Sequence, residues 1–250
     1  MDYLFVVIIG LVIGSFLNVC IFRIPEGQSI CYPPSHCGSC EHQLGVLDLV
    51  PVLSYIFLRG RCRYCKEKIS IRYPLIELLN GLLYLVIYFK YGFNILTLKY
   101  FVLTSLLIVI SMIDLDTQDV YTSTAIFGAV AGIIFVVIQQ FVFKQGSLEY
   151  IIGGIVGAVI IGIVVFITRG MGEGDIEIAG VCGLFLGWKG ILIALFLGIV
   201  IGGIVGIIIL LLKIRNAKDR MAFGPFIAIG TIISMLYGSE ILNAYLNFLY

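Results

Sequence analysis

The sequence predicts an all-α polytopic membrane protein, and three observations carry that prediction. The 250 residues are 60 % hydrophobic and 12 % charged, with a mean hydropathy of +1.11, a composition that soluble domains do not have. The apolar residues gather in runs close to the roughly 20 residues that a membrane helix needs. The basic residues are divided unevenly among the segments joining those runs. A net charge of +1 supplies no basic footprint for a nucleic acid, so the expected surroundings are membrane lipid and no nucleic-acid partner is expected.

The first run, Tyr3–Phe22, follows Asp2 and is closed by Arg23. Without a basic start or a small-residue cleavage site it reads as a retained helix, not a leader. Further spans are expected over Tyr73–Phe89, Ile95–Ile113, Thr122–Phe143, Tyr150–Thr168, Ile191–Leu212 and Phe223–Tyr245, with a shorter run over Ile176–Trp188. That makes about eight transmembrane helices. Gly153, Gly154 and Gly157, and Gly198, Gly202, Gly203 and Gly206, stand at spacings that let helix backbones approach, which places those segments in the bundle interior. The expected organisation is a first membrane helix over 1–24, a polar loop over 25–72 and a membrane core over 73–250.

Charge fixes the orientation. If the first helix runs outside to inside, the inner segments hold Arg23, Arg59, Arg61, Arg63, Lys66, Lys68, Arg72, Arg169, Lys213, Arg215, Lys218 and Arg220, against Lys90, Lys99, Lys144 and Lys189 outside. This is a positive-inside distribution, and it requires the short Ile176–Trp188 run to count as a crossing. Asp114 and Asp175 then face the cytoplasm together.

Those two acids carry the chemistry. Asp114 closes an apolar run, and Asp175 stands at the end of Gly172-Glu173-Gly174-Asp175, where a further apolar run begins. A carboxylate at membrane depth costs roughly 3 kcal/mol or more and usually marks a functional site. Two such acids on one face suggest a dyad sharing one proton. Asp116 and Asp119 are read as solvated loop acids or turn residues.

Of seven cysteines, Cys37-x-x-Cys40 and Cys62-x-x-Cys65 form two pairs within 25–72. In a cytoplasmic loop, disulfides are disfavoured, and paired knuckles match a four-thiolate structural zinc site. A loop this small has little core, so metal would supply much of its folding energy. Cys20 and Cys182 read as core residues, and His36 and His42 as surface residues.

Gly14-Ser-Phe-Leu-Asn-Val19, Arg23-Ile-Pro25, the paired Cys-x-x-Cys, Pro51-Val-Leu-Ser-Tyr55, Arg59-Gly-Arg-Cys62, Arg72-Tyr-Pro-Leu-Ile-Glu77, Ile113-Asp-Leu-Asp116, Gly172-x-Gly-Asp175 and Phe223-Gly-Pro225, in that order, resemble the type IV prepilin peptidases. These are GxGD-class aspartyl proteases that remove the leader of prepilins and pseudopilins at the cytoplasmic face of the prokaryotic plasma membrane. Many also N-methylate the new amino terminus with S-adenosylmethionine. The resemblance implies Asp114 and Asp175 as the catalytic pair, with Gly172, Gly174, Gly224 and Pro225 where the substrate approaches. The chain departs from the family pattern at Tyr121, where a proline is usual, and at Glu177, where a lysine is common.

The chain has no glycine-rich βαβ segment, so a methyl-donor site would be unconventional, with Glu77 as the candidate carboxylate. Two other readings compete. A proton-coupled transporter predicts acids near the bilayer midplane, and a zinc-anchored scaffold predicts that the dyad is dispensable.

Overall fold

The computed structural model describes residues 1–141, 146–168, 171–212 and 221–249. Among them lie eight helices: α1 Asp2–Arg23, α2 Leu53–Phe57, α3 Arg72–Tyr91, α4 Ile95–Thr117, α5 Thr122–Phe141, α6 Leu148–Thr168, α7 Gly174–Leu211 and α8 Gly224–Leu249. All except α2 are long and apolar enough to cross a membrane, which makes seven such helices. Among the described residues the only β pairing is in two isolated bridges, His36 with Gln43 and Arg61 with Lys68. The protein is all-α and multi-pass. Lys144, Arg169, Lys213, Arg215, Lys218 and Arg220, which entered the charge count, lie outside the described residues.

The chain divides into two compact units, Met1–Val109 and Ile110–Tyr250, with the boundary inside α4. In the first unit α1 packs on α3 through Gly10 and Gly14. A Cβ on Gly14 would fall 2.7 Å from the Glu77 Cα, and one on Gly10 would fall 2.8 Å from the Gly81 Cα. Only hydrogen at these positions permits this backbone approach. Polar side chains hold the seam: Asn80 Nδ2 donates to the Gly10 carbonyl at 2.7 Å, and Asn18 Nδ2 donates to the Tyr73 carbonyl at 3.1 Å. Tyr84 of α3 stacks on Phe101 of α4 with ring centroids 3.9 Å apart. Lys99, counted above among outer charges, is instead fully buried within α4.

In the second unit, the expected runs Ile176–Trp188 and Ile191–Leu212 are joined in one 38-residue element, α7, broken at Gly187 (φ 76°, ψ 172°). An unbroken helix of that length would extend about 57 Å, nearly twice a bilayer's hydrocarbon core. Gly157 of α6 shows what happens instead: a Cβ there would touch both the Ala179 carbonyl and, at 3.0 Å, the Ile191 side chain. Ala179 and Ile191 would be about 18 Å apart along a straight helix. The chain therefore doubles back at Gly187, a conformation that a side chain would strain. The two arms of α7 form a hairpin, so the expectation of about eight helices and the seven continuous elements describe the same path. The long arm then runs beside α8, where Ser234 Oγ donates to the Gly190 carbonyl at 2.7 Å. At the entry to α5, the carbonyl of Tyr121 accepts from the backbone N–H and the hydroxyl of Thr124 at 2.9 and 2.7 Å.

Candidate active site and metal centre

Asp114 lies in the last turn of α4, which continues to Thr117, one turn beyond the run that was expected to end at Ile113. Gln118, at φ 58°, stops that helix, and its N–H bonds the Asp114 carbonyl at 2.8 Å. A carboxylate at a helix C-terminus faces the negative end of the dipole. A second helix answers this: Gly224, the first residue of α8, donates its backbone N–H to Asp114 Oδ2 at 2.8 Å. Asp175 lies in the first turn of α7, where the dipole favours an anion. Its Oδ2 accepts the N–H of Gly172 at 3.2 Å, and its own N–H bonds the Gly172 carbonyl at 3.2 Å.

Both carboxylates are nearly inaccessible, with Asp114 4 % and Asp175 5 % exposed. Their charges are close enough to interact, and both line one cavity of about 550 Å³ with Val120, Gly172, Met171 and Phe223. The cavity brings together the ends of four helices, α4, α6, α7 and α8, with Val165 and Phe166 supplied by the last turn of α6. Asp116 and Asp119 are both exposed; Asp119 reaches the cavity rim, whereas Asp116 is on the last turn of α4 instead of in a loop.

In the first unit, two knuckles repeat one backbone pattern. Glu41 N–H bonds the Cys37 carbonyl at 2.9 Å, and Lys66 N–H bonds the Cys62 carbonyl at 3.1 Å. Glu41 and Lys66 both have positive φ, 56° and 64°. The four sulfurs of Cys37, Cys40, Cys62 and Cys65 lie within 4.8 Å of one another. Four sulfurs about 2.3 Å from one zinc stand roughly 3.8 Å apart in a tetrahedron, and Cys37 Sγ and Cys65 Sγ are 3.8 Å apart.

The thiols themselves ask for a cation. Cys37 is pulled down to about 6 by the backbone N–H groups of Ser39 and Cys40. At Cys65 the Glu67 N–H acts downward, but burial and the neighbouring sulfurs prevail and push the thiol up to about 12. Four thiolates cannot share this volume without a positive charge among them, so the donor set fits a metal ion.

Residues 8–91 match the family model described as the Bacterial Peptidase A24 N-terminal domain, and residues 101–207 match the Type IV leader peptidase family. A Prepilin leader peptidase/N-methyltransferase of Pseudomonas putida is 32 % identical, over 94 % of this chain and 90 % of the relative. The chain belongs to the type IV leader peptidase family. A protein of the same description from Aeromonas hydrophila is 33 % identical over 98 % of this chain and 94 % of its own length. One from Myxococcus xanthus is 36 % identical over 87 % of this chain and 68 % of its own. No solved structure matches the chain significantly.

The glycines of this family member divide by what lies against them. A Cβ on Gly172 would meet nothing nearer than 4.0 Å, so that residue presents open backbone to the cavity. Gly174 has no such room, because a Cβ there would collide with the Val120 side chain. Gly224 is turned toward Asp114, and its neighbour Pro225 occupies the first turn of α8, where a missing N–H is tolerated.

Glu77 is buried in the second turn of α3, and its Oε2 accepts the Val52 N–H at 2.7 Å. A second hydrogen bond joins it to the Ser15 side chain. Val52 carries a positive φ of 61°, a costly conformation for a β-branched residue. Sequence reasoning missed this tie between the cysteine loop and α3, and it also missed Val120, Met171 and Met221 as cavity walls. The strained Val52 has no sequence signature, and Val120, Met171 and Met221 stand in connecting segments where nothing in the sequence marks them as cavity walls.

Proposed function

We propose that this chain removes the leader peptides of type IV prepilins or pseudopilins at the cytoplasmic face of a prokaryotic plasma membrane. The observation that supports it most is the convergence of Asp114 and Asp175 in one cavity at four helix ends. Asp114 and Asp175 are the proposed catalytic pair. One carboxylate takes a proton from a water while its protonated partner polarises the scissile carbonyl. The Gly224 N–H holds Asp114 in position, and the Gly172 N–H holds Asp175. Gly172, open toward the cavity, leaves room for an extended substrate backbone. The exposed acids Asp116, Asp119, Glu173 and Glu177 complement a basic leader.

Zinc is the metal proposed for Cys37, Cys40, Cys62 and Cys65, in a structural role that closes the loop over 25–72. The names of the relatives support a second reaction, N-methylation of the new amino terminus, with S-adenosylmethionine as methyl donor. Glu77 is occupied in tying the loop to α3, so direct action on a sulfonium would require that tie to open. Its proposed part in methylation is to position the loop. The 1–24, 25–72 and 73–250 division is proposed as a functional one, with proteolysis belonging to the last segment.

The test is incubation of the reconstituted protein with a candidate prepilin and S-adenosylmethionine, followed by mass spectrometry of the pilin amino terminus. Leader loss that Asp114→Asn and Asp175→Asn both abolish is expected. Cleavage that survives either substitution removes the aspartyl mechanism.

A further inference from the structure

The polar loop over 25–72 carries an apolar surface that its own fold leaves open. On α2, Leu53, Ile56 and Phe57 fall at i, i+3 and i+4, one face of a helix, and all are exposed, Phe57 by 80 %. The 3-10 turn Val46–Asp48, which packs against α2, exposes Val46 by 84 % and Leu47 by 72 %. In a water-facing loop this much clustered apolar surface calls for a partner.

The position of α2 decides which partner. Both ends of the loop run into membrane helices, α1 at Arg23 and α3 at Arg72. The start of α2 is also fixed to α3, since the N–H of Val52 donates to Glu77 at 2.7 Å. Glu77 lies five residues into α3, about 7.5 Å along its axis, and so at the depth where a membrane helix leaves the headgroup layer. On α3 the neighbouring Tyr73, Leu75 and Leu78 are themselves exposed, as a lipid-facing surface would be. Directly after α2 the chain places exposed Arg59 and Arg61, with Lys66 and Lys68 further on. An apolar face flanked by cations at headgroup depth is the pattern of an interfacial helix on an anionic membrane.

We infer that α2 and the Val46–Asp48 turn form an interfacial anchor, seating the metal-binding loop in the headgroup layer of the bilayer. The Glu77–Val52 bond sets its depth, and Leu47, Ile56 and Phe57 are the side chains that enter the acyl boundary.

The full-length protein is reconstituted in nanodiscs of phosphatidylcholine and phosphatidylglycerol, with and without bromine on the acyl chains. Trp188→Phe removes the native tryptophan, and Phe57→Trp or Leu47→Trp reports from the anchor. Tryptophan emission shifted to the blue of its position in water, and quenched several-fold by the brominated lipids, is expected for both. Emission at the water position overturns the inference. A blue shift without bromine quenching also overturns it, because a protein surface and not lipid then covers the face. Oxidative footprinting of the unsubstituted protein in the same nanodiscs needs no folded variant, and heavy labelling of Phe57 and Leu47 there overturns the inference as well.

Discussion

Gly224→Ala is the substitution whose effect on the paired aspartates can be worked most directly from distances. A Cβ at this position would stand 2.7 Å from Asp114 Oδ2, 3.4 Å from its Cγ and 3.3 Å from Ile178 Cδ1. The first is about 0.8 Å inside the ~3.5 Å at which such atoms rest. Asp114 cannot easily move aside, because it is 4 % exposed and its oxygen is held at 2.8 Å by the same residue's N–H. Either the carboxylate turns away or the start of α8 backs off, and both lengthen that hydrogen bond. A misplacement approaching 1 Å costs up to about 100-fold in rate. Leader cleavage should therefore fall about 10- to 100-fold, equivalent to roughly 1.4–2.7 kcal/mol. Single-turnover cleavage of a prepilin in nanodiscs, read by mass spectrometry, measures it. Gly203→Ala serves as the control, since a Cβ there meets nothing within 4 Å and the residue is not part of the cavity, and it should cleave at close to the unsubstituted rate. Wild-type cleavage by Gly224→Ala, beside an inactive Asp114→Asn, would refute a positioning role for the Gly224 N–H.

Asp114→Asn and Asp175→Asn should each lower cleavage by about 10³-fold or more while leaving the protein inserted, whereas the exposed Asp116 and Asp119 should tolerate Asn with little loss; leader removal from a purified prepilin reports both. Metal analysis of the purified protein should find about one zinc per chain, and Cys37→Ser or Cys62→Ser should lower that content and open the loop to protease. Glu77→Gln keeps an oxygen to accept the Val52 N–H and should retain zinc and loop protection, whereas Glu77→Leu should lose protection. Methylation of a pre-cleaved pilin should follow the loop, surviving in Glu77→Gln and Asp175→Asn and failing in Glu77→Leu. A Glu77→Gln protein that holds its loop but no longer methylates would instead assign the charge itself to that reaction.

How much could be read from the sequence depended on the kind of interaction involved. The membrane helices were legible because a bilayer demands about 20 apolar residues whatever the neighbours are, and α1, α3, α5 and α6 begin and end within a few residues of the expected runs. The four cysteines were legible because metal geometry fixes ligand spacing. Positions set by tertiary packing were not. Gly174 reads like Gly172 in the sequence, yet Val120 fills the space beside one and not the other. Glu77 reads as a free acid near a membrane edge, while the fold places the N–H of a strained Val52 against it. The fold-back at Gly187 leaves only a faint trace, a single glycine between two apolar runs.

That fold-back also bears on the competing readings of the buried acids. The first arm of α7, residues 174–186, is about 20 Å long. Asp175 stands at the start of the arm, Asp114 in the last turn of α4, and the Gly224 N–H at the start of α8. All three groups are therefore at helix ends, not at interruptions in the middle of helices. A carrier needs its carboxylates where alternating access can reach them from both sides, near the midplane and beside unwound helix centres. A hydrolase acting on a membrane-anchored chain needs them where water and an extended peptide arrive from one side. Gly157 and Gly153 make that placement possible, because a Cβ on either would collide with the α7 hairpin, at 2.5 Å from the Gly183 carbonyl oxygen in the case of Gly153. With side chains there the hairpin would be pushed from α6, and with it the arm that carries Asp175.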